Sequence, residues 1–354
     1  MDARLIKEAL TKGKAEKLSE EVEYVRFKDS FRKVERGTVI LGKKIIWGYP
    51  QIKRIFVLGN GLKKNTSKIV LYAEEKIDGF NVRILYFQGK IYAFSRGGFL
   101  DSFVTEKCRD MNLEKFFHDY PDYVLCGEMI GNTPYTEPTN EFDVKLFIFD
   151  IDEGDGYYLS CKEKYSILKK YKLNSTPFLG KFSSDDYEGL RSLSISINKG
   201  NKEGFVLRDE DRKVIMKYVT PISDIRDISE ASDMLFDMPI GFFYQRILRS
   251  AFFLDEFALD RKKYSSKLGT AFYDGLCEAI KKVKNGEDIS AEFEILIKDP
   301  LIWNNIHKHM SKKVILEELW RKKQGKNIRI RFKKIYKKST KKLTSLATGK
   351  ALTD

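Results

Sequence analysis

The periodicity of the chain changes at Pro221. The change commits it to a mixed α+β architecture, with strands gathered before that point and helices after it. Strand-like stretches occupy residues 69–75, 80–87, 90–95, 123–127, 145–151, 204–208 and 213–219, with helical stretches at 104–117 and 161–171. Gln88-Gly89 is a two-residue hairpin turn between two of the strands. Hairpins and closely spaced strands predict antiparallel sheets rather than a doubly wound parallel sheet. Beyond Pro221, apolar residues fall at helical spacing over 228–236, 241–254, 267–284, 291–297 and 306–323. Ahead of the strands, residues 3–18 predict an amphipathic helix, 38–46 and 54–58 predict short strands, and Gly59-Asn60-Gly61 predicts a turn. These patterns divide the chain into an accessory region (1–65), a β-rich unit (66–222), a helical region (223–310) and a terminal helix and tail (311–354).

Length agrees with several units, since 354 residues exceed one small core. A composition 42% hydrophobic and 33% charged excludes wholesale disorder. Apolar runs such as 146–149 fall far short of the roughly 18–20 residues of a membrane span. The N-terminus carries no apolar leader, and Cys108, Cys126, Cys161 and Cys277 form no C-x-x-C pair. A reducing, cytoplasmic protein with no membrane partner is expected. The net charge of +14 is concentrated at one end: residues 311–354 hold 15 Lys/Arg against 3 Asp/Glu. Such a segment attracts phosphate polymers or is simply a solvated tail.

Standard nucleotide fingerprints are missing. No G-x-x-x-x-G-K-S/T occurs, and His307-Lys308-His309 lacks the carboxylate spacing of a zinc motif. Six short segments at strand ends carry chemistry instead. In order they are Glu74-Glu75-Lys76-Ile77-Asp78-Gly79-Phe80-Asn81, Ser95-Arg96-Gly97-Gly98, Gly127-Glu128, Phe149-Asp150, Glu203-Gly204 and Ile215-Met216-Lys217. Lysine is a nucleophile only when its amine is neutral, which a dry pocket or nearby cations favour. Arg96 and Lys217 are candidates for those cations, and the same charges neutralise a polyphosphate. Glu203, Glu128 and Asp150 are hard oxygen donors suited to Mg²⁺ or to ribose hydroxyls. Phe149 offers a ring face to a base. Each segment alone has a bland reading as a surface turn or a strand end. Together they describe a nucleotide pocket with a lysine inside it.

The ordered set resembles the covalent nucleotidyltransferase superfamily of ATP-dependent ligases and mRNA capping enzymes. Lys76-Ile77-Asp78-Gly79 is similar to motif I, Ser95-Arg96-Gly97-Gly98 to motif Ia and Gly127-Glu128 to motif III. Phe149-Asp150 is similar to motif IIIa, Glu203-Gly204 to motif IV and Met216-Lys217 to motif V. Within the superfamily the chain most resembles the homodimeric archaeal RNA ligases, through Asn81, Trp47-Gly48-Tyr49-Pro50 and Lys217-Tyr218-Val219-Thr220. DNA ligases and capping enzymes usually continue into a β-rich OB domain, whereas residues after Pro221 read as helical. The resemblance implies an antiparallel-sheet nucleotidyltransferase fold (an ATP-grasp-like ligase adenylation domain) with an N-terminal accessory region and a helical C-terminal, dimer-forming region.

It also implies roles. Lys76 is the nucleophile toward ATP, giving a lysyl-AMP. AMP then passes to an RNA 5′-phosphate, and a 3′-hydroxyl seals the strand, with RNA circularisation left open. Glu74, exchangeable with Glu75, reads adenine, and Phe149 stacks on it. Arg96 and Glu128 hold the ribose, and Glu203 with Asp150 places Mg²⁺, for which Mn²⁺ can substitute. Lys217 touches the α-phosphate and keeps Lys76 neutral, while Asp78 and Asn81 organise the lysine and the sealing step. Many RNA ligases carry a second motif V lysine where this chain has Ile215; Lys213 is the candidate replacement. Arg321, Lys322, Lys323, Lys341 and Lys342 would draw in RNA. The alternatives are a DNA ligase or capping-type transferase, and a non-catalytic RNA-binding protein.

Overall fold

The computed structural model describes residues 1–310 and 314–351, so the ends of the basic segment, 311–313 and 352–354, lie outside the described residues. Helix α1 (Ala3–Thr11) leads into β1 (Ala15–Ser19), β2 (Glu23–Phe27), β3 (Val39–Leu41) and β4 (Lys44–Ile46), which form a sheet in that order. The helix expected over 3–18 thus ends at Thr11. Next come β5 (Lys53–Arg54) and α2 (Leu58–Asn65). Gly59-Asn60-Gly61 lies inside α2 and is not a turn. Gly61 is there for closeness: a Cβ would stand 2.7 Å from the Cβ of Ile55.

The β-rich unit runs through β6 (Val70–Lys76), β7 (Phe80–Phe87), β8 (Lys90–Ser95), α3 (Ser102–Arg109), α4 (Glu114–Asp119), β9 (Val124–Gly131) and β10 (Val144–Asp152). It continues through α5 (Cys161–Lys170), β11 (Phe178–Ser183), α6 (Tyr187–Lys199), β12 (Gly204–Arg208) and β13 (Ile215–Val219). Two sheets result, ordered β10-β9-β7-β8 and β11-β6-β12-β13-β5. Every pairing is antiparallel except β13 with β5, as expected of an α+β chain. The outer face of the second sheet buries Leu71, Ala73, Phe205, Leu207, Met216 and Tyr218 against α2, α6 and α8 (Gly241–Glu256). The outer face of the first buries Val82, Ile84, Leu125 and Ile148 against α3 and α4. Strand alternation turns the other residues to the opposite faces; on the first sheet Leu85, Phe94, Val124 and Cys126 there pack on Val39, Leu41 and Ile46 of the N-terminal sheet.

The C-terminal region begins with helices α7 (Pro221–Ala231), α8 and α9 (Arg261–Lys284). It then departs from an all-helical expectation. Residues 291–297 fall in β14 (Ser290–Ile297), followed by α10 (Pro300–Met310), β15 (Ile315–Gln324), β16 (Asn327–Ile335) and α11 (Lys337–Ala347). The basic segment is thus mostly a β-hairpin and a short helix, not a tail. The physical cause is burial: Phe293, Ile295, Ile330 and Phe332 join Phe103, Val104 and Leu125 in one apolar cluster. Among the described residues no helix is long and apolar enough to cross a membrane.

Candidate active site

Register places the functional side chains. Asn81 of β7 stands opposite Glu128 of β9, which stands opposite Phe147 of β10. On the facing sheet Glu74 of β6 is level with Val206 of β12, which is level with Lys217 of β13. Lys76 ends β6, and the chain turns at once through Gly79 into β7. A Cβ on Gly79 would stand 2.6 Å from the Met129 carbonyl oxygen, so only glycine lets the turn pass so close. The motif I lysine therefore sits where the two sheets meet.

Lys76 Nζ lies 2.6 Å from Glu203 Oε2. Burial, the largest influence on Lys76, favours its neutral amine. Glu203, then Glu128 and Asp78, outweigh it and raise the pKa above the ordinary lysine value. This differs from the expectation that neighbouring cations keep Lys76 neutral. The lysine whose charge is disfavoured is Lys217. Burial, then Arg54, Lys76 and Arg96, bring it down to about 8. None of the ion pairs of the described residues engages Lys217, Arg54 or Arg96.

The acids divide into two groups. Burial pushes Glu128 up to about 8, against the pull of Lys76 and of an Asn81 Nδ2 donor at 3.3 Å. Burial also raises Glu203, opposed by Lys76. Asn81 keeps its buried Oδ1 without a partner. Asp78 is half-exposed and accepts Arg226 Nη2 at 2.8 Å, tying the motif I turn to α7. Glu203 and Glu128 are oxygen donors near Lys76, yet no cluster of three or more ligating side chains occurs among the described residues. That donor set fits a Mg²⁺ held by one or two carboxylates together with substrate phosphates, the usual arrangement for that ion.

Several assigned residues stand elsewhere. Asp150 is 0% exposed. Its Oδ1 takes Arg208 Nη1 at 2.7 Å, and its Oδ2 takes Arg212 Nη2 at 2.7 Å and the Tyr49 hydroxyl at 2.5 Å. Burial acts to raise this carboxyl, but Arg208 and Arg212 outweigh it and hold it low. Complete burial and two arginine partners leave this carboxylate no open approach for a metal, and it ties β10 to Arg208 of β12. Glu74 is also buried: its Oε1 accepts Lys164 and Tyr165, while its Oε2 has no hydrogen-bond partner and stands 3.0 Å from Arg208 Nη2 as an ion pair. Glu75 cannot exchange with it, because alternation turns Glu75 to the opposite face of β6, where it pairs with Lys202. Lys213 is exposed in the turn before β13 and pairs with Asp211 at 3.2 Å, so it does not replace the missing motif V lysine.

Phe149, expected to stack on adenine, is partly buried beside Tyr49. A bulge between Ile148 and Asp150 lets both Phe149 and Asp150 touch Tyr49, the two rings meeting edge-on at 5.1 Å. Arg96 is exposed, on a loop fixed by two arginines that sequence gave no reason to single out. Buried Arg83 donates to the Ser95, Gly37 and Trp47 carbonyls, and Arg26 donates to the Gly97 carbonyl at 2.6 Å. Arg321, Lys322, Lys323, Lys341 and Lys342 are exposed, the first paired with Glu318 at 2.8 Å.

Known proteins are similar to this chain in sequence and fold. Residues 69–219 match the family model described as RNA ligase, and residues 230–350 match one described as ligase Pab1020 C-terminal region. The uncharacterized protein MJ0414 of Methanocaldococcus jannaschii is 33% identical over 352 residues, covering 93% of this chain and 88% of that protein. A putative ATP-dependent DNA ligase from Aquifex aeolicus superposes with a TM-score of 0.94 at 31% identity, covering 99% of this chain and 100% of the other. An archaeal ATP-dependent RNA ligase superposes with a TM-score of 0.90 at 25% identity, covering 99% and 97%.

Proposed function

The chain belongs to the RNA ligase family, and from that premise we propose that it is an ATP-dependent RNA ligase working through a covalent AMP on Lys76. The observation that carries this reading is the placement of Lys76: a buried-edge lysine between a carboxylate pair and three uncommitted cations, Lys217, Arg96 and Arg54.

Lys76 Nζ attacks the α-phosphorus of ATP. The N–P bond forms, the bond to the pyrophosphate oxygen breaks, and pyrophosphate leaves. The attack needs a neutral amine. Once the Glu203 carboxylate is engaged by other partners, the burial that already favours neutral Lys76 is unopposed by it. Mg²⁺ bound by Glu203 and the phosphates would supply charge neutralisation. Lys217 and Arg96 meet the developing negative charge on the phosphates. The RNA 5′-phosphate oxygen then attacks the lysyl-AMP phosphorus and releases Lys76. Last, a 3′-hydroxyl attacks the 5′-phosphorus, forming the phosphodiester and expelling AMP. Splitting the condensation lets each displacement have a good leaving group. Asn81, opposite Glu128, is placed to organise the later steps, and Phe149 presents a half-buried ring for the adenine.

Two further features belong to this reading. Lys322, Lys323, Lys341 and Lys342 stand exposed on the C-terminal hairpin and helix, where they would contact RNA phosphates without reading sequence. Helix α8 exposes Tyr244, Ile247, Leu248 and Phe252, an apolar stripe suited to a second copy of the chain.

The test is incubation with Mg²⁺ and each α-labelled nucleoside triphosphate, followed by a denaturing gel. Label from ATP alone, lost in Lys76→Ala, is the expected result; label from GTP alone would move the reading to capping. A DNA-joining activity is the second reading, favoured by the similarity to the Aquifex aeolicus structure. Sealing assays on matched RNA and DNA nicks and ends separate the two.

A further inference from the structure

The second motif V cation is missing from its own strand, and three observations locate a substitute. Position 215 is Ile. Lys213 is spent on Asp211 in the turn. Arg208, level with Ile215 across the strand pair, is spent on Asp150 and Glu74. Strand β5 then joins the sheet beside β13 in parallel, with Arg54 level with Lys217. The Ile55 N–H donates to the Lys217 carbonyl at 3.1 Å and fixes that register. Ile55 points into the apolar cluster with Met216 and Tyr218, so Arg54 stands on the opposite face, the face of Lys217.

Arg54 is exposed, and none of the ion pairs of the described residues uses it. The carboxylates near it are Asp224 and Glu203. Each already has a cation: Asp224 pairs with Arg249, and Glu203 with Lys76. Arg246 is likewise paired, with Asp227 at 2.7 Å, which leaves Arg54 and its strand neighbour Lys217 as the positive charges here without an ion pair among the described residues. A surplus of cations, with the acids taken, is a site for a polyanion. Counting strands outward from the nucleophile, Lys76 lies on β6, Lys217 on β13 and Arg54 on β5. A triphosphate with its α-phosphorus at Lys76 and its tail running outward meets them in that order.

We propose that Arg54 binds the β- and γ-phosphates of ATP, and so the leaving pyrophosphate, supplying from a neighbouring strand the cation that position 215 lacks. The inference rests on the ATP-dependent reading above. A guanidinium suits the task because it takes two phosphate oxygens at once.

The test uses the full chain carrying Lys76→Ala, so that nucleotides bind without reacting. Calorimetry measures AMP, ATP and pyrophosphate on this parent and on the same chain with Arg54→Ala, Arg54→Gln or Arg54→Lys. ATP and pyrophosphate should each bind about ten-fold more weakly to the Ala and Gln proteins, for one lost charge-assisted contact. AMP should bind unchanged, and Lys should restore part of the loss. Gln keeps the aliphatic stem and a polar end without the charge, and carries the comparison where Ala lowers the melting temperature. Equal losses for AMP and ATP, or unchanged ATP binding, would overturn the role of Arg54. A parent that binds no adenine nucleotide would instead overturn the reading beneath it.

Discussion

Lys76 and Glu203 form an ion pair of 2.6 Å between the end of β6 and the residue preceding β12. Lys76, the proposed nucleophile, is therefore held in its protonated form until that carboxylate is otherwise engaged. The sign is fixed by the competing influences. Burial, the largest single influence, lowers the Lys76 pKa, and Glu203, with Glu128 and Asp78 behind it, together raise it further than burial lowers it. Glu203→Gln should drop the pKa and leave more neutral amine at every pH below it. Labelling of Lys76 by an amine-selective acylating reagent, followed by mass spectrometry across pH, should shift toward acid in this variant. Below the pKa, the rate rises about ten-fold for each unit by which the pKa falls. An unchanged profile would mean that Glu203 does not govern the proton on Lys76.

Lys217 bears the cost of its burial and of the clustered cations. Its folded-state pKa of about 8 lies below the ordinary lysine value, so the folded protein binds its proton less readily than the unfolded chain. Below about pH 8 both states carry the proton, and the folded state bears the penalty in full. Stability therefore rises as pH climbs from about 8 toward the ordinary lysine value. Lys217→Met should stabilise the protein at pH 7 by about 1–2 kcal/mol while abolishing self-adenylylation. Thermal melts at pH 7 and pH 10 check this, because the advantage of Met should shrink at the higher pH. A lower melting temperature at pH 7 would contradict it.

Asp150 gives the opposite kind of prediction. Arg208, Arg212 and Tyr49 use its oxygens inside the protein. Asp150→Asn leaves two arginines under-compensated and should cost about 3–5 kcal/mol. For a chain of this size that is a fall of about 10 °C in melting temperature. The Mg²⁺ concentration giving half-maximal self-adenylylation should stay where it was. A variant that melts like the parent but needs much more Mg²⁺ would return Asp150 to the metal site.

These contrasts show which parts of the site were legible. Lys76, Glu128, Glu203 and Lys217 belong to short local patterns, the first and third at strand ends and the other two within β9 and β13, and the sheets bring them together. Glu74 and Glu75 are adjacent in sequence, and alternation alone puts one between the sheets and the other outside; that was readable in principle. Asp150 was not, because its fate depends on Arg208 and Arg212, some sixty residues away. Arg54 was hidden for the same reason: only the parallel pairing of β5 with β13 makes it a neighbour of Lys217. The misread of residues 291–297 has a different cause. Phe293, Leu296 and Ile297 have helical spacing, while Phe293, Ile295 and Ile297 have strand spacing, and burial selects the latter.

The apolar stripe of α8 carries the last prediction. Tyr244, Ile247, Leu248 and Phe252 are 69%, 38%, 37% and 41% exposed, and they recur at the spacing of one helical face. Phe243 and Phe253 of the same helix are buried, so α8 has already satisfied its own core. A stripe of this size left in water favours association, and the second copy of the chain presents the same stripe in return. The protein should therefore run at twice its 41.2 kDa chain mass in size-exclusion chromatography with light scattering. Ile247→Asp with Phe252→Glu would bury charge at the centre of such an interface and should weaken association about a hundred-fold or more. Both positions are at the surface of one chain, so the variant should keep the parent's far-ultraviolet circular dichroism while shifting to the 41.2 kDa species. Retention of the double mass by this variant would place the dimer contact elsewhere, and a parent that runs as a single chain would remove the need for one on α8.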